Sequence, residues 1–247
     1  MSASKIPWCD KTWSPFTGCN HCSPGCDHCY AKVLCWRFAV KWKLPAKNPF
    51  AVTWHQDWFD RPDFGKPCRV FVGPMTDLFH PDVSTELLDM VLKKIAYYKE
   101  HTFIVLTKRP ELMEDKIYGV MGENFSRELG GGDYLPNLWF GVSVCAQDEI
   151  WKISKLMEIT AAKRFVSFEP LLGRIQPTPE MKKLDWIIAG GETGPGAREC
   201  DTAWISRLAE FGQENKIPFF FKGWGSRQKS RPWTLPRQFP KRKDDGK

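Results

Sequence analysis

Six short apolar runs recur along this chain with almost no polar alternation inside them: residues 69–73 (RVFVG), 102–106 (TFIVL), 138–144 (LWFGVSV), 164–168 (RFVSF), 186–189 (WIIA) and 218–221 (PFFF). A strand with one wet face alternates polar and apolar residues. A strand covered on both faces does not, and such covering is the rule in parallel sheets. The segments between the runs carry the helical period instead. Residues 85–100 put Leu88, Val91, Leu92, Ile95 and Tyr98 on one stripe, with Ser84 before them as an N-cap. Residues 147–158 and 202–214 read as helices too, the second capped by Asp201. Strand and helix in alternation predict βαβ units. With a first strand near residues 13–17, the pattern predicts an α/β fold in the form of a barrel or partial barrel. A flat doubly wound sheet is the rival.

Polar residues gather where such a fold would use them. Residues 69–73 lead into Pro74, Met75, Thr76 and Asp77; residues 102–106 lead into Thr107, Lys108 and Arg109. Ser143 closes the third run, Glu169 follows the fourth, Gly190, Gly191 and Glu192 follow the fifth, and Lys222 follows the sixth. In parallel barrels the carboxyl ends of the strands carry the site. Any one of these residues could simply cap the next helix, but six in succession favour a site. Residues 1–225 read as one domain, with irregular stretches at 41–67 and 122–137 and a basic, flexible tail at 226–247.

The charge has a location. Residues 222–247 hold nine Lys or Arg against two acids, a surplus equal to the whole net charge of +7. Such a tail can contact phosphates, or it can be a solvated end. Nine cysteines, an odd number in a chain of 247 residues without a charged-then-apolar leader, do not describe a secreted disulfide scaffold. No apolar run nears the ~20 residues that span a bilayer. The expectation is a cytoplasmic protein without a membrane partner, in which clustered thiols mean metal.

Those thiols are Cys19, Cys22, Cys26 and Cys29, in TGCNHCSPGCDHCYA. Cys22, Cys26 and Cys29 are spaced C-x3-C-x2-C; Cys19, Cys26 and Cys29 form a second trio. Three thiolates on one loop hold three irons of a [4Fe–4S] cubane and leave the fourth open to a chelating ligand. That arrangement suits S-adenosylmethionine (SAM), whose reductive cleavage yields a radical that abstracts hydrogen from a substrate. All four thiols could instead surround one zinc. However, the two pairs stand only three residues apart, far short of the roughly 12–20 usual between zinc-finger pairs. His21 and His28 lie inside the loop and read as solvent-facing or as partners of the ligands.

The segments TWSPFTGC, SPGCDHCYA, MTDLFH, LTKRP, LPNLWFGVSV, RFVSFEPLLG, GGETGPGAR and FFFKGWG span nearly all of residues 8–225. Through them the chain resembles the radical SAM superfamily, and more narrowly a phage and prophage family of three-cysteine-motif proteins. It is distantly similar to spore photoproduct lyase. The resemblance implies a partial TIM-type (β/α)6 barrel. It implies a [4Fe–4S] cluster on Cys26 and Cys29 with either Cys19 or Cys22, SAM as co-substrate and an external electron donor. Tyr30 would pack beside the cluster. Met75, Thr76, Asp77, Ser143, Glu169, Gly190, Gly191 and Glu192 would contact SAM, although the Gly-Gly-Glu segment falls later than in many of these enzymes. Lys108, Arg109, Arg198 and Lys222 would hold carboxylate or phosphate groups. The basic tail and the abundance of aromatic residues point to a nucleic-acid or nucleotide substrate, in phage DNA modification or repair; a peptide or small molecule fits nearly as well. The alternatives are a zinc-stabilised nucleic-acid-binding protein without catalysis, and a barrel whose cluster only transfers electrons.

Overall fold

The computed structural model describes residues 4–60, 62–120, 134–228 and 235–241. In chain order the strands are β1 (Lys11–Trp13), β2 (Phe16–Thr17), β3 (Thr53–Trp54), β4 (Arg69–Val72), β5 (Thr102–Thr107), β6 (Leu138–Ser143), β7 (Lys163–Phe168), β8 (Trp186–Gly190) and β9 (Phe219–Gly223). The helices are α1 (Tyr30–Phe38), α2 (Gln56–Asp60), α3 (Thr85–Tyr97), α4 (Met113–Val120), α5 (Trp151–Met157) and α6 (Thr202–Glu214). One seven-stranded sheet runs β1-β4-β5-β6-β7-β8-β9, parallel throughout. β2 and β3 form a separate antiparallel pair. The strand order never reverses, so the sheet lacks the switch point of the doubly wound rival. It curls into a half-barrel.

Strand parity explains the curl. Val70 and Val72, Phe103 and Val105, Leu138, Phe140 and Val142, Val166 and Phe168, Ile187 and Ala189, Phe219 and Phe221 all belong to one large core. The same core takes Leu88, Val91, Leu92 and Ile95 from α3, Met113 and Ile117 from α4, Ile153 and Leu156 from α5, and Ile205, Leu208 and Phe211 from α6. The helices therefore pack on one face. The alternate residues Phe71, Ile104, Trp139, Phe165, Trp186, Ile188 and Phe220 form a second cluster with Trp8 on the other face. Rings set edge to face, such as Trp139 on Trp186 at 6.1 Å, fill the concave side. Both faces of each strand are dry, which is why the runs show no alternation.

Several boundaries differ from the sequence reading. The first strand ends at Trp13, while Phe16 and Thr17 turn away to pair with Trp54 and Thr53. Residues 147–158 divide into a 3₁₀ turn, Gln147–Glu149, and α5. The irregular stretch at 41–67 contains β3 and α2. Ser84 and Asp201 cap their helices as expected, accepting from Leu87 N and Ala203 N. Most of 122–137 lies outside the described residues. The tail is not loose where it is described. Phe221 N donates to Pro236 O and Gln238 N to Phe219 O, both at 2.8–2.9 Å. Phe239 then packs on Trp186 and Phe220, under the Arg69 guanidinium. Among the described residues no helix is long and apolar enough to cross a membrane.

Candidate active site

At the carboxyl ends of the strands the concave face changes from aromatic to polar. The parity that buries Ile104, Trp139, Phe165 and Phe220 carries on to Lys108, Ser143, Ser167, Glu169 and Lys222. These residues line a cleft of about 710 Å³. Phe71 and Trp8 line its apolar part, and the loop after β4 and all four clustered cysteines complete the wall. Size and lining suit a small-molecule or cofactor site.

The cysteine loop is held from several directions. A 3₁₀ turn, Pro24–Cys26, is capped by Ser23 Oγ accepting from Gly25 N at 3.2 Å. A side chain on Gly25 would put its Cβ 2.4 Å from Cys145 Sγ, so only glycine lets the loop settle there. Arg109 reaches across to donate to Asn20 Oδ1, to Asn20 O and to Cys19 Sγ at 3.4 Å. Thr76 Oγ1 donates to Gly18 O at 2.6 Å, and Tyr30 Oη to Pro74 O at 2.5 Å. Cys22 is exposed; Cys19, Cys26 and Cys29 are half-buried. The Cys22 thiol beside it, aided by the Lys108 ammonium, holds Cys26 well below the usual thiol range despite burial. Burial pushes Cys19 up, against the pull of Arg109. Burial pulls the Lys108 ammonium down, but Cys145, Cys26 and Asp77 outweigh it and push it up.

Two carboxylates sit deep in this region with different amounts of freedom. Asp77 accepts from Thr107 Oγ1 (2.7 Å) and Phe79 N on one oxygen, and from Lys108 N and Arg109 (3.4 Å) on the other. All its capacity goes into tying the β4 and β5 ends together. Glu169 accepts from Trp8 Nε1 (3.2 Å) and Ser167 Oγ (2.8 Å), and pairs with Lys222 at 2.7 Å. Met75 is buried against Ala31, Cys35, Leu44 and Phe50, and forms an apolar side of the cleft.

Thirteen of the seventeen expected site residues meet at this cleft; Gly190, Gly191, Glu192 and Arg198 do not line it. Glu192 is buried and fully engaged: Arg198 donates from Nε (2.9 Å), Nη2 (2.5 Å) and its backbone N (2.8 Å), and His28 Nδ1 lies 3.0 Å away. Arg198 extends the clamp to Asp27 Oδ2 and Pro24 O, both at 2.9 Å. Burial would raise the Glu192 pKa, but the Arg198 and His28 hydrogen bonds pull it down to about 2. This group braces the cysteine loop from behind. Gly191 serves a backbone crossing, where a Cβ would stand 2.2 Å from Trp224 O.

The donor set fits an iron–sulfur centre in kind. Four sulfurs of one loop border a single cleft, with the cations Lys108 and Arg109 beside them to offset thiolate charge. Among the described residues, no three His, Cys, Asp or Glu side chains converge as a metal would require. Sequence reasoning missed Ser167, Trp8, Asn20 and Cys145. Ser167 was legible, because it stands two residues before Glu169 on one strand and so shares its face. Trp8 and Asn20 lie in irregular chain, where no period marks them.

No curated protein and no solved structure matches the chain. The family model described as protein of unknown function (DUF5131) matches residues 3–247, and the chain belongs to that family.

Proposed function

We propose that this chain is a radical SAM enzyme, holding a [4Fe–4S] cluster through Cys26 and Cys29 with either Cys19 or Cys22. The observation that carries the reading is the meeting of four thiols from one loop with the polar carboxyl ends of a parallel half-barrel, across a cleft of about 710 Å³. A cluster held by these thiols would supply the one-electron reduction that SAM cleavage needs, chemistry that ends in hydrogen abstraction from a substrate.

The chain's own residues have definable tasks. Lys108 and Arg109 offset the negative charge of the thiolates in a region where water screens little. Asp77 fixes both cations by accepting from the Lys108 backbone and the Arg109 guanidinium. Lys222 offers an ammonium to a carboxylate or phosphate, and Glu169 an acceptor to an amine or hydroxyl; each is charge-balanced by the other until a ligand intervenes. The aromatic filling around Trp186 closes the barrel below the cleft, so a ligand stays at the mouth and water is kept from beneath it. The electron comes from an external donor.

The test is anaerobic reconstitution with iron and sulfide. The expected product is brown, absorbs near about 400 nm as thiolate-bound clusters do, and releases 5′-deoxyadenosine from SAM under dithionite. Cys26→Ala and Cys29→Ala should lose iron. Of Cys19→Ala and Cys22→Ala, only one should. Protein that takes up zinc alone, or a brown protein that neither binds nor cleaves SAM, overturns the proposal.

A further inference from the structure

We propose that α1 and the lip of the cleft beside it form a docking surface for single-stranded nucleic acid. As a substrate assignment this rests on the radical SAM reading; as a binding surface it does not. In a molecule that buries most of its aromatic and aliphatic side chains, α1 presents Tyr30, Val33 and Trp36 to solvent at 49 %, 53 % and 55 % exposure, with Val40 just beyond at 94 %. The spacing of three and four residues puts them on one side of the helix. The opposite side is buried through Ala31 and Cys35. An apolar stripe in solvent marks a contact surface.

Charge selects the occupant. From residue 29 to residue 54 the chain carries Lys32, Arg37, Lys41, Lys43 and Lys47 and no acid. All five are exposed, and among the described residues none pairs with a carboxylate. The nearest acid in sequence beyond them is Asp57, which borders a neighbouring groove with Trp42 and Trp58. Aromatic faces interleaved with unpaired cations are the surface that single strands use: bases stack on the rings and phosphates meet the cations. A second copy of the chain would set five cations against five, which Coulomb repulsion opposes. A bilayer would also accept tryptophan and lysine, but Tyr30, Lys32 and Trp36 continue into the cleft wall, where a flat surface cannot follow. A duplex keeps its bases stacked and offers the rings nothing. The strand is thereby led past the cysteine loop to Lys108 and Lys222.

The experiment is fluorescence anisotropy of the full chain with labelled single-stranded DNA, single-stranded RNA and duplex DNA, alongside flotation with vesicles of anionic phosphatidylserine. It is run before and after cluster reconstitution. Single strands should bind at least about tenfold tighter than duplex. If all five cations meet phosphates, affinity should fall about 100-fold between roughly 50 and 200 mM salt, from a slope of about −0.7 per phosphate. Trp36→Ala should weaken binding about tenfold or more, while Trp36→Phe keeps a stacking face and most of the affinity. Lys32→Glu with Arg37→Glu should weaken binding and flatten the salt slope; Arg174→Glu, in a separate groove with Lys182 and Arg207, should do neither. Duplex bound as tightly as single strands, vesicle capture without oligonucleotide binding, or indifference to Trp36→Ala and the charge reversals overturns the proposal. Oligonucleotide binding by protein that never takes up iron would defeat the radical reading alone, and a reconstituted enzyme blind to oligonucleotides would defeat this one alone. A preference between the DNA and RNA arms identifies the strand.

Discussion

Removing the Arg198 side chain tests whether the cysteine loop is held from behind by one buried charge. Arg198→Ala deletes two side-chain hydrogen bonds to Glu192, at 2.9 and 2.5 Å, and leaves that carboxylate only 5 % exposed with His28 and one backbone N–H. Stripping a buried ion of its partner costs about 3–5 kcal/mol, and the lower end applies because Arg198 is 32 % exposed. The depressed pKa gives a second route to the magnitude. A fall from 4.5 to about 2 in the folded state, at about 1.4 kcal/mol per unit, is roughly 3 kcal/mol for Arg198, His28 and a backbone N–H acting together against burial, with Arg198 the largest contributor. The folded pKa lies below the unfolded one, so this stabilisation is complete above about pH 4.5 and is lost as pH falls toward 2. Urea unfolding of the apoprotein should therefore show a deficit of about 3 kcal/mol at pH 7, narrowing to about half that at pH 3. Because Arg198 also grips Asp27 and Pro24, Cys22 and Cys26 should alkylate faster in the variant. Arg198→Lys should recover less than half, since an ammonium cannot make the bidentate contact. A deficit that is negligible at pH 7, or equal at pH 7 and pH 3, would refute the brace.

Two further consequences follow from packing. Gly25→Ala forces a Cβ to within 2.4 Å of Cys145 Sγ, and overpacking of this kind costs about 1–3 kcal/mol. Adding Cys145→Ala should return part of the lost melting temperature and of the iron uptake, which independent sites would not do. Phe239→Ala strips a ring from Trp186 and Phe220 and a cation–π partner from Arg69. It should cost about 1–3 kcal/mol in urea unfolding if the tail is part of the fold; no loss would mean that the tail is only a solvated end.

What the sequence made legible follows from how many residues carried each signal. Six strands were recoverable because burial on both faces leaves mostly apolar runs of four to seven residues, and such runs have few other uses. Their carboxyl ends pointed to the cleft because every strand in a parallel sheet delivers its next residues to the same side. Glu192 broke that rule. It follows β8 like the others, yet the chain has already turned outward at Gly191, which crosses the β9 end at Trp224. A glycine pair reads the same whether its backbone approaches a ligand or another strand, so the local motif could not distinguish the two. The basic tail is a related case in its described residues, 226–228 and 235–241. Its charge is dense, but Phe239 and the Pro236 and Gln238 backbone groups are enough to seat it on β9.

The first helix was the costliest omission, and its cause bears on function. α3 announces itself because its apolar residues share one face and polar residues the other. α1 buries Ala31 and Cys35 while exposing Tyr30, Val33 and Trp36, so apolar residues stand on both its sides and, with only Lys32 and Arg37 between them, blur the helical period. Apolar residues on opposite sides of a helix ordinarily mean burial on both. That is not so here, where the helix starts directly after Cys29 and lines the lip of the cleft. Exposed apolar residues beside cations, on a helix that lines the cleft, are what the proposed docked strand would cover.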